Sequence, residues 1–282
     1  MVRLLIFGLG YSGAAVAGAA RAAGFSVTGT TRDPAAPGTV AFDAAAPALA
    51  TATHLLSTVP PGAMGDPVLA RYADAIAHAP ALRWIGYLSS TVVYGDRAGG
   101  WVDEDTPPAP SQDRGLRRLT AESAWTAFAD RRAVEIFRLA GIYGPGRSAF
   151  DDLRAGRGRR VAKPGHAFGR IHRDDIAQAV LAAMQQSPAP GRRIFNLADD
   201  EPAESAAVVE EAARLLHLPP PPLLAYTELE PGMSPMARSF WAENRKVASR
   251  KTQAVLRLAW RYPSYREGLR AILAEELGHG PP

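Results

Sequence analysis

The sequence predicts an α/β protein with a doubly wound parallel sheet. Short apolar runs alternate with helical patterns from Arg3 to Leu139, a glycine-rich turn joins the first run to the first helix, and one more strand signal returns at Arg193 to Leu197. Arg3 to Phe7 carries a continuous apolar run, as expected of a strand covered on both faces. A helix follows from about Ser12 to Ala23 and stops at Gly24. Further strands read at Phe25 to Thr30, His54 to Val59, Trp84 to Leu88 and Val134 to Leu139, with helices at about Pro67 to Ala79 and Leu116 to Ala129 between them. Such alternation implies right-handed crossovers and a parallel sheet.

Beyond Gly141 the pattern loosens into Gly, Pro and Arg. Asp174 to Gln186 is helical again, so the chain is expected to rejoin its first half. The division is then a nucleotide-binding part at residues 1–145, rejoined by about 172–200, and a smaller substrate lobe from 146–171 and 201–282. Pro219 to Pro222 is a stiff spacer. Leu269, Ile272, Leu273 and Leu277 recur at helical spacing and give a closing helix packed on the small lobe.

Composition narrows the classes. The chain has 282 residues, 47% hydrophobic and 21% charged, with a formal charge of +4, the balance of an ordinary globular enzyme. With no cysteine, disulfides, thiolate metal sites and cysteine nucleophiles are excluded, which suits a cytoplasmic location. Met1 to Ala23 mimics a signal peptide, but Gly8, Gly10 and Gly13 interrupt its apolar run. No other stretch approaches the ~20 apolar residues of a membrane span. The six histidines show no metal-ligand spacing, so no metal is expected. No aromatic residues interleave Arg154, Arg157, Arg159 and Arg160, so nucleic acid is not expected either. That basic run reads as a solvated loop or as a clamp for a substrate diphosphate. The expected partner is a small-molecule substrate, with a homodimer left open.

Gly8, Gly10 and Gly13 form G-x-G-x-x-G between a strand and a helix. The first glycine permits the tight turn, the second lets backbone approach a pyrophosphate, and the third lets helix pack on strand. The helix start, with Tyr11 and Ser12, then offers free N–H groups to phosphates. This is the signature of a Rossmann fold binding a dinucleotide. The end of the second strand reads Gly29, Thr30, Thr31, Arg32. Hydroxyls and a guanidinium there suit the 2′-phosphate of NADP(H), whereas a carboxylate would select NAD(H). NAD remains the alternative, because a strand ending one or two residues later would bring Asp33 into play.

Several segments together resemble the extended short-chain dehydrogenases/reductases, the NAD-dependent epimerase/dehydratase family. They are the loop Gly8 to Gly13, the run Tyr87 to Gly95 with its serines followed by V-Y-G, Arg138 to Arg147 (R-L-A-G-I-Y-G-P-G-R), Ile171 to Ala177 (I-H-R-D-D-I-A) and Phe195-Asn196-Leu197. Phe7 stands where the family usually has a further glycine. The last 80 or so residues resemble only a loosely defined atypical branch, through Asn244 to Val247 and Tyr262 to Gly268. The resemblance implies that Asp43 meets the adenine and that Ser57, Thr58 and Val59 line the path to nicotinamide.

It also implies a catalytic serine, a tyrosine and a lysine four residues after the tyrosine. Ser90 falls at the serine position. The expected Y-x-x-x-K-x-x-x-E helix instead reads Arg114, Arg118, Glu122. Arginine stays charged at working pH and cannot replace the acid, though it can hold an anion. Arg118 and Glu122 otherwise read as an exposed salt-bridged ladder. Tyr94, Tyr143 and Asp66 are the substitute proton carriers, Asp66 lying roughly where the family keeps an asparagine and reading equally as a helix N-cap. The implied activity is an NADP(H)-dependent oxidoreductase, epimerase or dehydratase of a small polar or nucleotide-sugar substrate. The alternative is a non-catalytic NADP(H)-binding sensor or scaffold that has lost the tyrosine–lysine pair.

Overall fold

The computed structural model describes residues 2–34 and 36–278; Met1, Ala35 and residues 279–282, with His279, lie outside the described residues. The central sheet comprises β1 (Arg3–Phe7), β2 (Ser26–Thr31), β3 (Thr39–Ala41), β4 (His54–Ser57), β5 (Trp84–Ser90), β6 (Ala133–Leu139) and β7 (Gly191–Leu197). These seven strands lie in the order β7-β6-β5-β4-β1-β2-β3, every pair parallel. The expected doubly wound α/β fold is therefore present. The order reverses between β1 and β4, and ligand crevices of such sheets open at the carboxyl ends of the strands beside that switch.

The alternation of side chains along each strand divides the core in two. Leu4, Ile6, Leu56, Trp84 and Phe137 face one side, under α1 (Tyr11–Ala22) and the helix at Arg173–Gln185. Leu5, Phe7, Leu55, Ile85, Tyr87 and Ile136 face the other, under α2 (Pro67–His78) and α3 (Asp113–Thr126). Helix α1 lies close to the sheet because it presents Gly13, Val16, Ala17 and Ala20 inward. Each apolar side chain fully buried this way contributes about 1.5–3 kcal/mol relative to exposure.

The sequence boundaries shift slightly. Strand β2 ends at Thr31, one residue later than its pattern suggests, and α3 begins three residues before Leu116. Strand β3 has only three residues and no apolar run to announce it.

A second group of elements sits at the carboxyl end of the sheet: α4 (Ala149–Arg154), α5 (Arg173–Gln185), α6 (Ser205–Leu215), α7 (Pro235–Trp241) and α8 (Tyr265–Glu276), with a two-stranded parallel ribbon pairing 160–162 with 223–225. Of these, α5 belongs to the main sheet. Helices α4, α6 and α8 enclose a separate small core of Tyr143, Phe150, Ala212, Tyr265, Leu269 and Ile272. After α7 the chain returns across the main unit, where Lys246 and Val247 pair with Trp101 and Val102. Asn244 anchors the return: its N–H donates to Asp96 at 2.7 Å, its amide donates to the Gly165 carbonyl at 2.9 Å, and its carbonyl accepts from Arg97 and Gly99. No helix among the described residues is long and apolar enough to cross a membrane.

Candidate functional site

The three glycines of the first loop each answer to a different physical constraint. Gly8 has φ +93°, and a Cβ there would lie 2.7 Å from the Thr58 hydroxyl. A Cβ on Gly13 would lie 2.2 Å from the Gly8 carbonyl oxygen, so helix and turn could not pack as they do. Gly10 differs from both. Its backbone is extended (φ −78°, ψ −163°) and a Cβ would meet no protein atom within 4 Å. Among the described residues nothing requires glycine there; open space in front of the α1 amino terminus is what it keeps.

The loop is tied down on both sides. The Gly8 N–H donates to the Thr30 hydroxyl at 2.9 Å and the Leu9 N–H to the Thr30 carbonyl at 2.8 Å. The Thr58 hydroxyl donates to the Gly8 carbonyl at 2.7 Å. Val59 packs beside Gly8, and Ser57 is fully buried with its hydroxyl unpartnered. The Tyr11 hydroxyl donates to the Pro145 carbonyl at 3.0 Å. Arg147 and Arg173 lie 5.7 and 5.2 Å from its ring centre, so cations border the loop that the first-loop motif alone did not reveal. Helix α1 opens with Tyr11, Ser12 and Gly13, and first-turn N–H groups have no intrahelical acceptor. The result is a positive, donor-rich cradle.

Strand β2 delivers Thr31, half-buried, and Arg32, the first residue beyond it and exposed, to the same edge. Its last residue carries a hydroxyl and not a carboxylate. Asp43 is exposed on the turn after β3, where Arg71 of α2 pairs with it at 3.1 Å. Beside this pair, Phe42, Pro60, Gly62, Met64 and Pro67 line an open cavity of about 600 Å³.

A second cavity, about 410 Å³, opens at the carboxyl ends of β5 and β6 under α7 and the return segment. Ser90, Arg114, Tyr143 and Arg170 line it, together with Phe168, Phe240, Trp241, Glu243 and Arg245. Ser90 accepts from the Val92 N–H at 3.3 Å. Of the sequence candidates, the structure brings Ser90, Arg114 and Tyr143 together here and leaves Asp66, Tyr94 and Arg118 elsewhere.

The reasons are geometric. Asp66 caps α2, accepting from the N–H groups of Val68 and Leu69 on one oxygen and from the Trp125 indole at 2.8 Å on the other. Tyr94 is fully buried, and its hydroxyl donates to Asn196 at 2.7 Å; burial raises its pKa. Arg118 donates to the Leu88 carbonyl at 2.8 Å and to the Tyr87 hydroxyl at 3.2 Å, bracing β5 from its helix. The exposed Arg118–Glu122 ladder does not form. Glu122 faces the core, accepts from Ser89 at 2.6 Å and pairs with Arg138 of β6 at 2.8 Å. Tyr143 borders the cavity, but its hydroxyl is bonded to the Ser264 carbonyl at 3.3 Å. His172 caps α5 through Nδ1, and burial lowers its pKa to about 4.

Three arginines of the small lobe's basic run are also spoken for, and the fourth, Arg159, is exposed. Arg154 pairs with Glu276, Arg157 with Asp152 and Arg160 with Glu210. What the sequence reading missed is the 239–247 segment, which has no motif beyond Asn244 to Val247. Ser111 donates to Glu243 at 2.9 Å and Gln112 to the Ser239 carbonyl at 3.2 Å, closing that segment over α3 from more than a hundred residues away.

Fold and site together define a Rossmann-type α/β protein, and solved epimerases and short-chain dehydrogenases/reductases share its fold. No protein-family model matches it. It is similar to a functionally unknown conserved protein from Silicibacter pomeroyi DSS, with 41% identity, a TM-score of 0.89, and 98% of this chain and 99% of that one covered. It is also similar to the human epimerase family protein SDR39U1 (isoform 2), solved with NADPH, at 20% identity and a TM-score of 0.80 over 96% of this chain and 99% of that one. MoeE5, solved with UDP-glucuronic acid and NAD, matches at 20% identity and a TM-score of 0.78 over 98% and 99%. Among curated proteins, YeeZ of Escherichia coli K12 is 35% identical over 150 residues, 52% of this chain. That match spans about half of YeeZ, 51% of its length.

Proposed function

We propose that the chain binds NADP(H) across the carboxyl ends of β1, β2 and β4, and uses it to oxidise or reduce a small polar substrate held in the cavity beneath 239–247. The observation that carries this reading is Gly10, a glycine with no conformational or packing reason among the described residues. The pyrophosphate would take that space, against the N–H groups of Tyr11, Ser12 and Gly13 at the α1 amino terminus. Thr31 and Arg32 would hold the 2′-phosphate, which arginine can grip in bidentate fashion. Asp43 and the cavity beside it would receive the adenine, and Ser57, Thr58 and Val59 would guide the rest toward the substrate cavity. Proteins of the same fold solved with NADPH and with NAD support a nicotinamide dinucleotide here.

When bound, the nicotinamide supplies the hydride chemistry. The chain's own residues orient the substrate: Ser90 offers a hydroxyl at the cavity floor, and the return segment keeps bulk water from it. The tyrosine–lysine pair is absent, neither Tyr94 nor Asp66 reaches the cavity, and the Tyr143 hydroxyl at its border is engaged by the Ser264 carbonyl, so no phenol among the described residues at the cavity stands free to transfer the proton. The proton is then exchanged with solvent, while the Ser90 hydroxyl would hydrogen-bond the reacting oxygen.

The test is consumption of NADPH, or formation of NADPH from NADP, with a panel of small acids, aldehydes, ketones and nucleotide sugars. Turnover with a panel member supports an oxidoreductase. Tight NADPH binding with no turnover across the panel supports the alternative of a non-catalytic NADP(H)-binding sensor or scaffold.

A further inference from the structure

The cavity beneath 239–247 has an uneven charge balance. Arg114 is half-buried in the first turn of α3, and among the described residues no carboxylate lies within ion-pairing distance of it. Its guanidinium sits 4.7 Å from the centre of the Phe240 ring. The nearest negative charge, Glu243, is already used: one oxygen accepts from Ser111 at 2.9 Å and the other from Arg245 at 2.7 Å. Arg245 also donates to the Gly95 carbonyl.

Across the cavity, Arg170 donates to the carbonyls of Phe168 and Ala203, not to a carboxylate. Its neighbour Asp199 makes no hydrogen bond through its carboxyl. Burial pushes that carboxyl up to about 8, so at neutral pH it leaves the charge of Arg170 unbalanced. The positive end of α3 adds to the same sign.

The wall between the two arginines is aromatic. Phe168 and Trp241 meet edge to face at 4.9 Å, and Phe240 is 49% exposed although it lies beside the cavity. Such flat surfaces pack planar groups, and a guanidinium already stacked on a ring presents its edge N–H groups outward.

We propose that this cavity takes a compact organic acid with a planar, unsaturated or aromatic body, and that Arg114 is the specificity-determining residue that holds its carboxylate. Phe240, Trp241 and Phe168 pack the planar body, and Ser90 faces the end of the molecule that would meet the nicotinamide. A residue standing at the family's tyrosine position thereby serves substrate recognition instead of proton transfer. In the small lobe's basic run, Arg154, Arg157 and Arg160 are tied to Glu276, Asp152 and Glu210, which leaves only the exposed Arg159 of that run for a diphosphate. The assignment rests on the cavity being the substrate site of the function proposed above.

Cinnamate serves as the probe, with cinnamamide as its uncharged counterpart and UDP-glucose as the nucleotide-sugar control. Binding to the full chain is followed calorimetrically with NADPH present. Cinnamate should bind saturably, and both controls should bind at least tenfold more weakly. A charge-assisted hydrogen bond to arginine is worth about tenfold or more in affinity, so Arg114→Gln should weaken cinnamate by at least that factor. Phe240→Ala, at a more exposed position, should weaken it several-fold. Both variants should keep wild-type NADPH affinity, which also certifies their folding. Equal binding of cinnamate and cinnamamide, no cinnamate binding, or an Arg114→Gln variant with wild-type affinity would overturn the assignment. NADPH binding without cinnamate binding removes the acid site and leaves the cofactor reading standing; cinnamate binding without NADPH binding does the reverse.

Discussion

Replacing Asp199 with asparagine should stabilise the protein at alkaline pH. Asp199 follows β7, is 1% exposed, and has both carboxyl oxygens without a hydrogen-bond partner. Burial is the main cause that raises its pKa to about 8, with Arg170 opposing. The unfolded chain ionises an aspartate near pH 4. Between about 4 and 8, therefore, the native state keeps a proton that the unfolded state has released, and stability falls as pH rises through that window. Each pH unit in it is worth about 1.4 kcal/mol, so by pH 7.5 the accumulated loss is on the order of 5 kcal/mol. Asparagine keeps the shape and cannot ionise. Urea denaturation at pH 6.5, 7.5 and 8.5 would measure the difference, a range chosen because burial holds the native His54 and His172 neutral, with pKa values of about 4. The variant should gain on wild type with rising pH and level off above about 8. Parallel profiles across the range, or a variant less stable than wild type at pH 8.5, would refute the reasoning.

Other outcomes follow from the same geometry. Arg32→Ala should weaken NADPH roughly tenfold or more and leave NADH nearly unchanged, since the charge-assisted bonds to a 2′-phosphate are worth about 1.5–3 kcal/mol; comparative titrations of both cofactors read this directly. Tyr94→Phe should cost about 1 kcal/mol of stability, through the lost bond to Asn196, with NADPH affinity unchanged. Glu122→Gln should be more damaging, about 3–5 kcal/mol by denaturant unfolding, because it strands the buried Arg138 guanidinium.

Local signals carried most of the fold. The alternation of apolar runs and helices located six of the seven sheet strands, because those strands carry buried apolar residues and their composition says so. Strand β3 escaped, since Thr39–Ala41 is three residues long and half-buried. The glycine loop was legible for the same local reason: turn, cradle and helix start lie within six residues. Side-chain direction was not. Spacing alone paired Arg118 with Glu122, but α3 turns Glu122 toward β6, where Arg138 outcompetes an exposed partner. The segment containing Tyr94 resembled its family counterpart, yet nothing in V-Y-G tells that the phenol turns toward Asn196, 102 residues away. The closure over the cavity depends on contacts such as Ser111 with Glu243, 132 residues apart, and a single sequence carries no signal for them.

The most direct test is NADPH binding by wild type and by Gly10→Val, followed by calorimetry and checked for folding by circular dichroism. A Cβ at Gly10 meets no protein atom within 4 Å and the backbone there is extended, so valine should leave the fold intact. Its branched side chain would instead occupy the space in front of the α1 amino terminus. Wild type should bind NADPH more tightly than NADH, and the folded variant should bind neither. A folded Gly10→Val protein with undiminished NADPH affinity would contradict the assignment of this loop as the cofactor cradle.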